Sequence, residues 1–327
     1  MDAISIDLIR SADLIIRRLL AVKPGEQVAI VCDPLSEMSM AFALAGMVES
    51  VGGEYTLMLM PTRQTDRKND LTPVIEKGLE AADCLIGLTG ASGAPTYSSA
   101  VKALYRAGKI RTISMVMRKL DNFISGGALA DYDALLEEGN KLAAIWKTAN
   151  TIHITSPAGT DLYAPISGEQ VIIECGFATE PGQEAAFSDG EVSQMPQVNK
   201  AEGLIVVDGP IAHIGAVDRP IFLQVEKGRV ISIQGDCRQA DELRLILETT
   251  NNAANIAEIG IGLNPMCRQN GDFEEEKKGR GNVHIALGDN VFYGGDVHSP
   301  VHMDMVLYRP TVKLDDGLVV ENGEISI

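Results

Sequence analysis

Four apolar runs, each set off by turn residues and separated by helical patterns, constrain this chain most. They lie at 27–32, 55–60, 84–88 and 111–117. Each is short and bounded by glycine, proline or charged residues, so each predicts a buried strand. Between them, helical spacing covers 36–51, 72–82 and 96–107. A first helix is expected over 5–22, with Leu8, Ile15, Leu19 and Leu20 on one side and Pro24-Gly25 as its stop. Gly52-Gly53 and Gly108 end two of the others, and Pro73 suits a first turn. Strands alternating with helices predict a parallel sheet layered with helices.

The pattern changes after Asn150. A last long amphipathic helix is expected over 131–148, carrying Leu135, Leu136, Leu142, Ile145 and the single tryptophan, Trp146. Strand-like runs follow at 152–155, 171–174, 204–207, 221–225 and 230–234, with one helix over 239–250. At 327 residues the chain suits two domains. The boundary is expected near residue 150. The charged run Glu274-Glu275-Glu276-Lys277-Lys278 reads as a mobile surface loop. The glycine-rich stretch Gly87 to Gly93 follows a strand, as a phosphate cradle would. It lacks the Gly-x-x-x-x-Gly-Lys pattern and a ribose-binding acid downstream, so it reads as a turn.

A formal charge of −17 disfavours nucleic acid and anionic lipid as partners and favours cations. No apolar stretch is long enough to span a bilayer. The N-terminus carries Asp2 and lacks the basic-then-apolar order of a signal peptide, so a cytoplasmic location is expected. Five scattered cysteines without a Cys-x-x-Cys pair fit reduced thiols.

Of five histidines, His284, His298 and His302 fall near the C-terminal end, with Asp304 two residues beyond the last. In a strand, His302 and Asp304 point to one face, which makes half of a first-row metal site. Glu258 lies among Ile256, Ile259 and Ile261, where a carboxylate is costly unless paired or bound to a cation. Glu191 follows the turn signal Asp189-Gly190. Each residue also has a plainer reading: a wet strand face for Glu258, His302 and Asp304, and a surface acid for Glu191.

Together, Gly190-Glu191-Val192 with Pro196, Ala257-Glu258-Ile259, His284-Ile285-Ala286-Leu287-Gly288 and His302-Met303-Asp304 resemble, in order, the motifs of the thermophilic metallo-aminopeptidases of the aminopeptidase T family. That resemblance implies Glu191, Glu258, His284, His302 and Asp304 as ligands of two divalent ions (zinc, cobalt or manganese). It also implies a homodimer with its cleft between the domains. Tyr293 stands near the place of the family's tyrosine. For the proton shuttle, His298 is the first candidate, ahead of Tyr293, Glu174 and Glu180.

A second resemblance covers more of the chain. Residues 156–165, 175–182, Gly260 to Pro265 and Ser299 to Asp304 look like segments of 2,5-dihydroxypyridine 5,6-dioxygenase, a mononuclear Fe(II) ring-cleaving enzyme. Glu258 stands where that family has a histidine ligand, and Ala286 where it has a serine. Residues 1–150 hold no histidine to match its proposed base.

The expected architecture is therefore α/β: an N-terminal layered parallel α/β domain (1–150), then a β-rich α+β metal-binding catalytic domain (151–327). The expected function is a metal-dependent hydrolase of amide bonds in a small molecule or short peptide, by metal-activated water. The alternatives are the Fe(II) dioxygenase and a metal-dependent binding protein without chemistry.

Overall fold

The computed structural model of this chain describes residues 6–63, 67–117 and 119–327. Ser5, the expected start of the first helix, and the N-terminal stretch 1–4 lie outside the described residues. The chain forms two compact units, residues 1–129 with 175–189, and residues 130–174 with 190–327.

In the first unit the alternation of the sequence becomes α1 (Ile6–Asp13), β1 (Gln27–Cys32), α2 (Met38–Ser50), β2 (Glu54–Leu59), α3 (Pro73–Leu79), β3 (Cys84–Thr89), α4 (Ser99–Arg106), β4 (Arg111–Val116) and α5 (Asp121–Ile124). Thr72 and Ser98 cap α3 and α4 by accepting from the Ile75 and Val101 amides. The strands pair in parallel, with neighbouring strands linked through helices. Ala29, Val31 and Leu85 pack with Ile75, Leu79 and Val101 in the core.

The second unit begins with α6 (Tyr132–Trp146), β5 (Thr151–Thr155), β6 (Asp161–Pro165) and β7 (Ile172–Glu174). The chain then returns to the first unit as β8 (Glu184–Ala186), which extends the parallel sheet beside β4 and gives the order β2-β1-β3-β4-β8. At three residues, β8 is too short to show in a sequence pattern. The expected boundary near 150 puts α6 in the first domain. The helix instead packs on strands of the second unit, β7 and β9 (Glu191–Gln194), with Leu135, Leu142 and Trp146 buried.

The rest of the second unit is β10 (Glu202–Val207), β11 (Ile221–Glu226), β12 (Arg229–Gln234), α7 (Arg238–Thr249), β13 (Ile256–Gly262), α8 (Phe273–Glu276), β14 (Val283–Gly288), β15 (His302–Leu307), β16 (Thr311–Leu314), β17 (Gly317–Glu321) and β18 (Glu324–Ile325). These strands make an eight-stranded sheet, β12-β11-β10-β6-β5-β16-β17-β18, and a five-stranded one, β15-β14-β13-β9-β7. The pairs within both are antiparallel. The chain is thus an α/β fold with a parallel N-terminal sheet and a β-rich second unit. Among the described residues, no helix is long and apolar enough to cross a membrane.

Candidate metal centre

Strand register gathers the centre on one face of the five-stranded sheet. Glu258 on β13 lies opposite Ala286 on β14, and Ala286 opposite Asp304 on β15. Two residues along the same face, Gly260 lies opposite His284. On the next strand, Glu191 lies opposite both Gly262 and Glu174. Side chains two apart share a face, so His302 joins Asp304. Every residue of β13 and β14 is buried, so Glu258 has no wet face to occupy. Gly260 is required here: a Cβ on it would stand 2.2 Å from the His284 ring. Ala286 keeps a small side chain between Glu258 and Asp304.

Glu258 is the hub. Its Oε1 lies 3.0 Å from His284 Nε2, and its Oε2 lies 2.8 Å from His302 Nε2. His284 Nε2 also lies 3.5 Å from Glu191 Oε2, and His302 Nε2 lies 3.6 Å from Asp304 Oδ1. The residues form two triads that share Glu258: Glu191–Glu258–His284 and Glu258–His302–Asp304. Within each, one potential ligand atom per residue lies within 4.8 Å of the others. His302 Nδ1 is 2.7 Å from the Asp289 carbonyl, which can only accept a hydrogen bond, so the Nδ1–H donates. That bond orients the ring and turns Nε2 toward the carboxylates, as outer hydrogen bonds do for metal-binding imidazoles.

The charged run Glu274 to Lys278 is not a mobile surface loop. It forms α8 and the turn after it, and its polar groups are tied down. Glu275 accepts from the Arg268 guanidinium and from Asn270 Nδ2. Glu276 accepts from the Asn270 amide and the Tyr308 hydroxyl. Arg280, just beyond, is held 2.7 Å from Glu138 on α6. Gly262 lets this turn close onto β13, since a Cβ there would meet the Gly279 carbonyl at 2.3 Å. The result drives two ammonium groups into the centre. Lys277 Nζ donates to Asp304 Oδ2 at 3.0 Å, and Lys278 Nζ lies 3.0 Å from Glu191 Oε1 and 3.9 Å from Glu174. Lys278 is only 4% exposed, which is rare for lysine without a counter-charge.

Burial alone would raise the carboxylates, but the charges around them prevail. Lys278 and the His284 ring hold Glu191 below the usual range, while bonds from His284 and His302 do the same for Glu258. Lys277 and His302 hold Asp304 well down. Burial pushes both imidazoles down, and the carboxylates more than reverse it; His302 ends well above its ordinary value.

The donor set fits a cation. Each lysine satisfies one oxygen of its carboxylate, and the other oxygen, Glu191 Oε2 or Asp304 Oδ1, is buried without a hydrogen-bond partner. These two atoms face His284 Nε2 and His302 Nε2 across each triad. A buried anionic oxygen left this way is costly unless a cation completes it.

Of the proposed shuttle residues, Tyr293 is buried at the centre. Its hydroxyl lies 3.1 Å from Ser193 Oγ, and its ring stacks on His302 with centroids 6.3 Å apart. Burial and the nearby Glu258 keep the phenol protonated well above its ordinary range. His298 is not brought in. It is exposed in the turn before β15, where its backbone carbonyl accepts from Asn252. The run of small and polar residues around it makes a surface turn. Glu180 is exposed and belongs to the first unit. Glu174 borders the centre through Lys278.

The glycine-rich stretch after β3 does form an anion-holding turn, filled by the chain itself. Amides of Gly90, Ala91 and Ser92 donate to the Asp33 carboxylate at 3.1, 2.9 and 2.6 Å.

A parallel α/β unit, and a β-rich unit that by itself carries a shared-carboxylate pair of triads, define a class of two-unit α/β proteins with a candidate metal centre in the second unit. Within it, this chain belongs to the 2,5-dihydroxypyridine 5,6-dioxygenase family, whose model matches residues 16–327. A curated 2,5-dihydroxypyridine 5,6-dioxygenase of Pseudomonas putida KT2440 is 30% identical over 198 residues, covering 55% of each chain. The chain thus spans about half the length of the curated relative it matches. The solved 2,5-dihydroxypyridine dioxygenase of that organism superimposes with a TM-score of 0.81 at 22% identity, over 98% of this chain and 96% of the other. Wild-type AmpT from Thermus thermophilus gives 0.70 at 17% identity, over 99% and 100%. These two likenesses are of fold. The ligand pattern put the aminopeptidases first, whereas the family match puts the dioxygenases first.

Proposed function

We propose that this chain is a metal-dependent dioxygenase that opens a hydroxylated nitrogen-heteroaromatic ring of the 2,5-dihydroxypyridine kind. The observation that carries the reading is the outer triad. His302 is 34% exposed, so it is the member of the centre that a small substrate can reach. Beside it stand Glu258 and the unpartnered Asp304 Oδ1, in a chain of the dioxygenase family. Glu258, His302 and Asp304 would hold the ion.

A ferrous ion there would supply open positions and a relay for electrons passing from an electron-rich ring to dioxygen, the ring itself being the reductant. The side chains do the rest. Lys277 offsets the charge of Asp304, so an extra carboxylate in place of an imidazole does not leave the set too anionic. Asp289 fixes the His302 ring through its carbonyl. The Tyr293 phenol stays neutral, and its stacking on His302 gives the ring one packed face. The buried walls of β13 and β14 exclude water from the inner side.

One observation favours a second reading. The inner triad, Glu191–Glu258–His284, shares Glu258 as a bridging carboxylate of a two-ion hydrolase would. The test is oxygen uptake by iron-loaded protein given 2,5-dihydroxypyridine, alongside hydrolysis of aminoacyl amides with zinc, cobalt or manganese. Uptake without hydrolysis is the expected result. Hydrolysis without uptake would overturn the proposal in favour of the second reading.

A further inference from the structure

We infer that Lys277 and Lys278 stand in for a second metal ion, so that a centre with two triads of ligands takes a single divalent ion per chain. The inference rests on the metal-dependent reading above and concerns what sets the number of ions.

The ligands alone are laid out for two ions, with Glu258 between the triads and one outer carboxylate on each side. Charge argues otherwise. Glu174, Glu191, Glu258 and Asp304 bring four negative charges, and the two lysines cancel two of them. Glu274, on α8, is partly exposed, so its charge is shared with solvent and stands outside this count. One divalent ion therefore neutralises the cluster. A second would leave two uncompensated positive charges in a buried site, which is strongly unfavourable.

Geometry assigns each lysine its part. Lys278 lies at the inner triad, where Glu191, Glu258 and His284 are 1%, 2% and 0% exposed, and contacts both Glu191 and Glu174. A cation is already built in on that side, and no exposed ligand opens it to a substrate. Lys277 contacts Asp304 Oδ2 at the outer triad and leaves Oδ1 free. The outer triad keeps a reachable imidazole, so the single ion belongs there. Neither lysine is placed by chance, because Glu275, Glu276 and Arg280 anchor the turn that carries them.

The test counts ions. Full-length protein stripped by chelator is dialysed against manganese(II), bound metal is measured by mass spectrometry, and manganese spin resonance reports whether ions are coupled. Wild type should bind one manganese per chain with an uncoupled spectrum. The Lys277→Met/Lys278→Met protein should bind two, twice the wild-type count, with coupling through Glu258. Lys278→Arg, which keeps the charge, should stay at one. A merely structural role for the lysines would lower occupancy in the double variant, not raise it. Two ions in wild type, or one in a folded double variant, would overturn the inference and leave the metal-dependent reading standing. If the double variant does not fold, Lys278→Met alone should exceed one ion, and a count of one overturns the inference. No manganese, iron, cobalt or zinc bound by wild type would sink the metal-dependent reading and this inference together.

Discussion

Asp33 and Glu258 are both buried carboxylates, one in each compact unit, yet their surroundings have opposite character. Asp33 follows β1 and faces the turn after β3, the strand-end position where open α/β sheets usually bind ligands. Four backbone amides, from Leu35, Gly90, Ala91 and Ser92, donate to its two oxygens. Burial would raise its pKa, but these donors hold it down at about 2. It is a charge fixed by neutral, immovable groups, with no atom left over. Glu258 is fixed by imidazoles, which can exchange a proton for a metal, and its neighbours Glu191 and Asp304 each keep a buried oxygen without a partner. Completeness of hydrogen bonding, not burial or charge, separates a structural carboxylate from one arranged for a cation.

The contrast can be broken most strongly at Glu258. Glu258→Gln removes the shared ligand and should weaken manganese binding by about 100-fold or more, since loss of an outer partner alone typically costs about 10–100-fold. Calorimetric titration of the apo-protein checks it, and unchanged affinity would remove Glu258 from the ligand set.

Asp33→Ala should act on stability alone. Four amides lose their acceptor, with an expected loss on the order of 3 kcal/mol in urea unfolding and an unchanged manganese count. A fall in manganese binding by the folded variant would erase the distinction between the two carboxylates.

Acid should separate them too. The folded pKa of Asp33 is depressed below its unfolded value of 3.8, so its stabilisation is complete above that value and lost as pH falls toward about 2. The stability gap between wild type and Asp33→Asn should therefore be full at neutral pH and shrink only in that acidic window. Manganese affinity should instead already decline between pH 8 and pH 6, because the His302 pKa is raised and protons compete with the ion. Affinity flat across that range would contradict the assignment of His302.

The smallest effect is expected at Tyr293. Tyr293→Phe keeps the ring against His302 and loses the contact with Ser193, for about 1 kcal/mol of stability and no change in bound metal. Chemical unfolding and metal analysis check both.

The fold of the first unit was legible because its strands are continuous apolar runs between glycine and proline stops, and helical spacing fills the gaps. The β8 strand was not, since three residues carry no period. The placement of α6 was missed because amphipathicity shows that a helix packs but not on which sheet. At the centre, Glu191, Glu258, His284, His302 and Asp304 could be picked out by motif order, and register then explains why they meet. The lysines were invisible: three glutamates and two lysines in a row look solvated. Only tertiary bonds from Arg268, Asn270 and Tyr308 to Glu275 and Glu276 show that the run turns inward. A lone histidine in a polar turn, His298, drew attention for the opposite reason, because chemistry-bearing residue types stand out even where the backbone leaves them on the surface.

The central claim is that an unsatisfied carboxylate cluster, and not the self-satisfied one, holds the cation. The most direct measurement is anomalous X-ray scattering from crystals of the full chain grown with manganese(II). The account predicts a peak bounded by Glu258 Oε2, His302 Nε2 and Asp304 Oδ1, and none at Asp33. No peak at that triad, or one at Asp33, would contradict it.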